Sequence, residues 1–295
     1  MIGMAAFIGM QIVSLLLIDA IWESATGFSI SRFLPDGSGE NQKQFIGIFR
    51  WIQGLHLFLS FAVPAFIWAK AEGGNPFRRL AFQTKVSPAA YLLGAVAISS
   101  AIPFIETIQF DAESFRLGEG LESLEKMIRE MEDKTFGMVK ALLEDSSLSA
   151  LLSNVIVIAL VPAVAEELFF RGFLLHTLKR MMGLHLTVWV TAFIFSFLHF
   201  QFFGFFPRMF LGAILGYLVI WSGSLLPAIL AHFMNNFLSV LGVWVNSWQS
   251  GGEAEITAQA HFPGWVAILS LMTSAILLLL YRRQFVKPPD NQALG

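Results

Sequence analysis

Residues 148–178 read LSALLSNVIVIALVPAVAEELFFRGFLLHTL, and the only charged side chains in this apolar run are Glu166, Glu167 and Arg171. About 20 apolar residues span a bilayer core, so this run is too long for one upright crossing and must tilt, kink or project from the membrane. A charged side chain at the centre of a membrane helix costs roughly 2.5–3.5 kcal/mol on insertion scales. Two carboxylates and a guanidinium held at that depth read as a site rather than as packing.

The rest of the chain agrees with a lipid setting. Of 295 residues, 56% are hydrophobic and only 14% charged, where a soluble domain carries about a quarter charged. Apolar stretches at 4–22, 45–69, 88–105, 148–178, 185–200, 207–221, 225–247 and 264–281 predict an all-α, polytopic transmembrane bundle of about eight spans. The first stretch lacks a small-residue cleavage site and is expected to remain as the first helix. The absence of cysteine excludes disulfides, thiolate metal sites and a cysteine nucleophile. A net charge of −2 argues against nucleic acid as a partner.

Short loops on one side carry Lys70, Arg78, Arg79, Lys85, Lys179, Arg180, Arg282, Arg283 and Lys287; those on the other carry Arg32, Lys43 and Arg208. This positive-inside bias predicts an integral protein of the cytoplasmic (inner) membrane with both termini in the cytoplasm. The chain divides into amino-terminal membrane helices (1–105), an acidic segment (106–146), a core (147–247), and a last span with its tail (248–295). Between Asp111 and Asp145 the acidic segment holds ten acidic and five basic residues. Leu117, Leu121, Leu124, Met127, Ile128 and Met131 recur there at helical spacing. They predict an amphipathic extramembrane helix, docked on the bundle or lying in the interface, as a plain connector or as a substrate gate. Loops 23–44 and 248–263 read as simple connections. His56 reads as a packed core residue, Asp19 as reaching the interface, and Gly212-x-x-x-Gly216 as a close helix contact.

Within the core the polar residues fall into three groups. Glu166 and Glu167 are adjacent, so on a helix they lie about 100° apart. Arg171 is four residues beyond Glu167, the spacing at which carboxylate and guanidinium meet on one face. Glu167 is thus expected to form a structural ion pair, leaving Glu166 without a local cation and suited to act as a proton-transfer base. Pro162 supplies no N–H to the carbonyl of residue 158, and a kink there would open room beside Glu166. His199 in the next span lies as far after the turn near 182–183 as Glu166 lies before it, so the two can meet across an antiparallel pair. His232 and Asn236, at i and i+4, share one face of a later helix.

Intramembrane hydrolysis has few chemical solutions. Neither Gly-x-Ser-x-Gly nor His-Glu-x-x-His is present, and Asp19 has no membrane aspartate to pair with. A water activated by Glu166 remains, with His199 holding that water and shuttling its proton. Asn236 and His232 could donate to the oxyanion of a tetrahedral intermediate, a donor of this kind being worth about 3–4 kcal/mol. No cofactor or metal is required. Alternatives are a zinc site of His199, His232 and Glu166, a proton-coupled transporter, or a non-catalytic immunity or scaffold protein.

Glu166-Glu167-x-x-x-Arg171, Phe195-x-x-x-His199 and His232-x-x-x-Asn236 resemble, in order and spacing, the three motifs of the CAAX prenyl protease and bacteriocin-processing family (CPBP, or Abi). The resemblance covers roughly residues 150–245. It implies a glutamate-dependent intramembrane endopeptidase with an eight-helix core, acting on a membrane-associated peptide or protein in the lipid bilayer. It also implies Glu166 as base, His199 as its partner, and His232 with Asn236 as oxyanion hole; Glu167 and Arg171 are expected, from their spacing, to support the site as an ion pair.

Overall fold

A computed structural model of the chain describes residues 2–27, 29–30, 42–82, 86–114, 116–249 and 262–285. Most of the connections 23–44 and 248–263 lies outside these residues, as do Arg32, Lys85 and Lys287. The described residues form an all-α bundle. Seven helices are long and apolar enough to cross a membrane: α1 (Ile2–Thr26), α2 (Phe45–Ala71), α3 (Pro88–Ser114), α5 (Leu148–Leu178), α7 (Phe205–Ser222), α8 (Leu226–Gln249) and α9 (Gly264–Phe285). Helix α4 (Glu122–Leu143) is the amphipathic one. Helix α6 (Leu184–Phe197) is apolar but has only 14 residues, about 21 Å at ~1.5 Å per residue. The protein is therefore a polytopic integral membrane protein, and the expected span 185–200 is a shorter helix than its neighbours. Exposed rows such as Ile8, Ile12 and Leu16 on α1 suit contact with lipid.

The third span runs to Ser114, beyond the expected end near 105. The Ser87 hydroxyl caps its start by accepting the Ala90 N–H at 3.3 Å. It breaks at Ala101, ahead of Pro103, which has no N–H to give the preceding turn. Helix α9 repairs the break. The Ser270 hydroxyl donates to the Ser100 carbonyl at 2.6 Å and accepts the Phe104 N–H at 3.2 Å, while Ser274 donates to the Ala97 carbonyl at 2.8 Å. With its backbone satisfied in this way, the chain continues as helix through Glu106 and Asp111.

The two glycines of Gly212-x-x-x-Gly216 do face α6. A Cβ on Gly212 would stand 3.2 Å from the Ala192 Cα and from the Phe195 ring, and one on Gly216 would stand 3.0 Å from Val188. Gly212→Leu should force α6 and α7 apart. The expected cost is about 1–3 kcal/mol, as for other overpacked cores, read as a lower unfolding midpoint in detergent.

Helix α4 docks through a polar flank. The Glu132 carboxylate accepts the Phe203 N–H at 2.8 Å, and the Arg129 guanidinium lies 4.8 Å over the Phe203 ring. At the other end Arg50 and Asn154 both donate to the Leu142 carbonyl, at 2.9 and 3.1 Å. Leu121, Leu124, Met127 and Met131 of the expected apolar row are turned outward and exposed. The amino-terminal end is clasped by Glu125, which accepts from Arg116 and Arg129 at 2.8 Å and from the Leu117 N–H at 2.9 Å. Chiefly through the Arg116 and Arg129 hydrogen bonds, this clasp holds the Glu125 carboxyl down at about 2. A depressed carboxyl contributes stability above its unfolded value, near 4.3, and loses it as pH falls through the folded value. The clasp should therefore persist at pH 4–5 and open only toward pH 2. A carboxylate NMR titration of Glu125 checks this, and Arg116→Ala should move the midpoint upward.

Candidate active site

Helix α5 changes its winding twice. Val155–Leu160 and Leu168–Leu174 are π-helical, and the α-helical segment between them, Val161–Glu167, ends on the two glutamates. Such wide turns inside α-helices often mark functional positions. Pro162 leaves the Ile158 carbonyl without its helical donor, and Asn236 of α8 takes that place, its Nδ2 donating at 3.4 Å. Asn236 Oδ1 accepts from Asn235 Nδ2 at 3.1 Å.

Glu167 and Arg171 form the ion pair their spacing predicts. Arg171 Nη1 donates to Glu167 Oε1 at 2.7 Å, and both side chains are fully buried. Arg171 Nη2 donates to the Gly212 carbonyl at 2.9 Å, and its guanidinium lies 4.7 Å over the Phe195 ring. The same Glu167 Oε1 also accepts His232 Nδ1 at 2.9 Å. Glu167 thus ties α5 to α8 as well as to its own arginine.

His232 stands between the two carboxylates. With Nδ1 on Glu167, its Nε2 faces Glu166 Oε2 at 3.8 Å, longer than a hydrogen bond. The two glutamates do differ in partners, as their helical offset suggests, yet they address one imidazole. Glu166 is buried, and no guanidinium or ammonium pairs with it among the described residues. The Nδ1–H bond to Glu167 leaves Nε2 of a neutral His232 as an acceptor; it donates only in the imidazolium form.

His199 lies just past the end of α6. Phe200 next to it adopts the left-handed conformation (φ 53°) and stops the helix there. His199 Nδ1 donates to the Phe195 carbonyl at 2.7 Å, which leaves Nε2 of the neutral ring with a free lone pair. Among the described residues no hydrogen bond or ion pair joins His199 directly to Glu166. Both imidazoles flank Phe195, whose ring centre is 4.9 Å from that of His199 and 6.0 Å from that of His232. Among the described residues no three His, Asp or Glu side chains converge as metal ligands would, so Glu166, His199 and His232 are not arranged as a ligand set.

One residue of this region escapes sequence reasoning. Arg208, read from the sequence as a loop charge, folds in from the first turn of α7. It hydrogen-bonds Gln201, and Glu166 and Glu132 are the carboxylates acting on it at longer range. The available signal was an arginine inside an otherwise apolar helix of 18 residues.

No curated protein and no solved structure matches the chain. Residues 148–238 match the sequence model of a family described as type II CAAX prenyl endopeptidase Rce1-like. That stretch contains Glu166, Glu167, Arg171, His199, His232 and Asn236. Over a little under a third of its length, then, the chain is similar to the Rce1-like CAAX prenyl endopeptidases, a likeness that supports a membrane protease.

Proposed function

We propose that this protein is an intramembrane endopeptidase that hydrolyses a peptide bond of a membrane-associated substrate with a water activated by Glu166. The observation that carries the reading is the contrast between neighbouring carboxylates. Glu167 is engaged by Arg171 and His232, whereas Glu166, also buried, has no direct cation and faces the free nitrogen of His232 at 3.8 Å. A carboxylate so placed is available to take a proton.

In this mechanism the water oxygen attacks the carbonyl carbon as its proton passes to Glu166. The second N–H of Asn236 Nδ2 stabilises the oxyanion, and His232 adds a donor in its imidazolium form. Glu167 fixes the His232 ring. The lone pair on His199 Nε2 holds the water in line. Collapse of the intermediate breaks the C–N bond, and the proton on Glu166 goes to the leaving amine. Both termini lie in the cytoplasm of an inner-membrane topology, supported by the lysines and arginines of the short loops.

Cleavage can be followed in whole membranes, where the natural substrate need not be identified first. Membrane fractions of cells expressing the wild type or Glu166→Gln at equal levels are compared for newly formed peptide termini. Termini that depend on Glu166 are expected; identical sets from the two strains would overturn the proposal.

A further inference from the structure

Arg208 carries a positive charge that the fold does not neutralise by direct contact. Its side chain bends back over Gly204, where a Cβ would stand 2.8 Å from Nη2 and 3.3 Å from Nη1. The missing side chain of Gly204 is therefore what makes room for the guanidinium. Nη2 is held by the neutral amide of Gln201. Nη1 is fully enclosed yet has no hydrogen-bond partner. Among the described residues no carboxylate forms an ion pair with Arg208. Glu132, one of the two carboxylates that act on it from a distance, already accepts the Phe203 N–H. The other is Glu166, and His199 also lies within the field of Arg208.

Arg171 makes the opposite case. Its side chain is fully buried, whereas that of Arg208 is only partly so, and Glu167, the Gly212 carbonyl and the Phe195 ring occupy it, so it belongs to the scaffold. A partly enclosed guanidinium with no neutralising anion is unfavourably placed, and a carboxylate that reaches it offsets that cost. Arginine gives carboxylates charge-assisted hydrogen bonds, and Nη1 is the donor here that still lacks an acceptor. We propose that Arg208, cradled by Gly204 and steadied by Gln201, is a specificity-determining residue that binds a carboxylate of the substrate beside the scissile bond. The inference rests on the protease reading above. The carboxylate belongs either to the carboxy-terminus of the substrate chain or to an aspartate or glutamate side chain near the cleavage point.

The experiment uses the full-length protein in lipid nanodiscs and peptides copied from a cleavage site that depends on Glu166. One peptide keeps all its carboxylates, one is amidated at the carboxy-terminus, and one has its acidic side chains changed to amides. The wild type should lose about 10–100-fold in kcat/KM on one of the two neutralised peptides, the range expected for a charged hydrogen bond. Which peptide suffers identifies the source of the carboxylate. Arg208→Gln should cleave the charged and neutral peptides at similar rates. Gly204→Ala, which crowds the guanidinium but keeps its charge, should narrow the preference, and serves as the reporter if Arg208→Gln does not fold. A wild type indifferent to both neutralisations, or a preference that survives in these variants, overturns the assignment of Arg208 while the protease reading stands. If whole membranes yield no cleavage site that depends on Glu166, the protease reading falls, and this inference with it.

Discussion

Glu166→Gln is expected to lower the rate of peptide cleavage by about 10²–10⁴-fold, the range for loss of a positioned general base, while leaving the bundle folded. Glutamine has nearly the shape of glutamate but does not accept the proton of an attacking water at neutral pH. The structure explains why the fold should tolerate the change. The nearest charged or ionisable partner of Glu166 is His232 Nε2 at 3.8 Å, beyond hydrogen-bond range, so no hydrogen bond to the scaffold is lost. The Glu167 network that links α5, α7 and α8 does not pass through Glu166. Removing a charge from an apolar enclosure also relieves its desolvation cost. Thermal unfolding and cleavage measured on one preparation separate the two effects. An unchanged rate would remove Glu166 as the base, and a collapsed fold would make it a structural group.

Much of this arrangement is legible in the sequence because it is local. The Glu167–Arg171 pair follows from a four-residue spacing and survives even though Leu168–Leu174 is wound as a π-helix. The free carbonyl four residues before Pro162 follows from the chemistry of proline. What cannot be read is who satisfies such groups from a distance. Asn236 on Ile158 and His232 on Glu167 depend on the register of α8 against α5, which packing sets and periodicity does not. The inward fold of Arg208 depends on space left by Gly204. The third span looks shorter in sequence because Glu106 and Asp111 resemble loop residues, while the serines of α9 that mend the break at Pro103 lie more than 160 positions away. Periodicity also gives α4 an apolar row without saying what covers it. In a membrane protein lipid serves as well as protein, and Leu124, Met127 and Met131 are turned outward.

Glu167→Ala should be the most damaging single change to stability, at about 3–5 kcal/mol, because it leaves the buried Arg171 guanidinium without its paired carboxylate. Glu167 Oε1 is the shared acceptor of Arg171 at 2.7 Å and His232 at 2.9 Å, so alanine frees a charge and an imidazole together. Remaining contacts of Arg171, to the Gly212 carbonyl and the Phe195 ring, offer no neutralising charge. If the loss comes from the unpaired charge, removing the arginine as well should restore stability. The double variant Glu167→Ala, Arg171→Met is thus expected to recover most of the unfolding midpoint in a denaturant titration. It should remain catalytically poor, since nothing then holds His232 with Nε2 toward Glu166. A double variant as unstable as Glu167→Ala would instead mean that the tie between α5 and α8 through His232, rather than the ion pair, keeps this part of the bundle together.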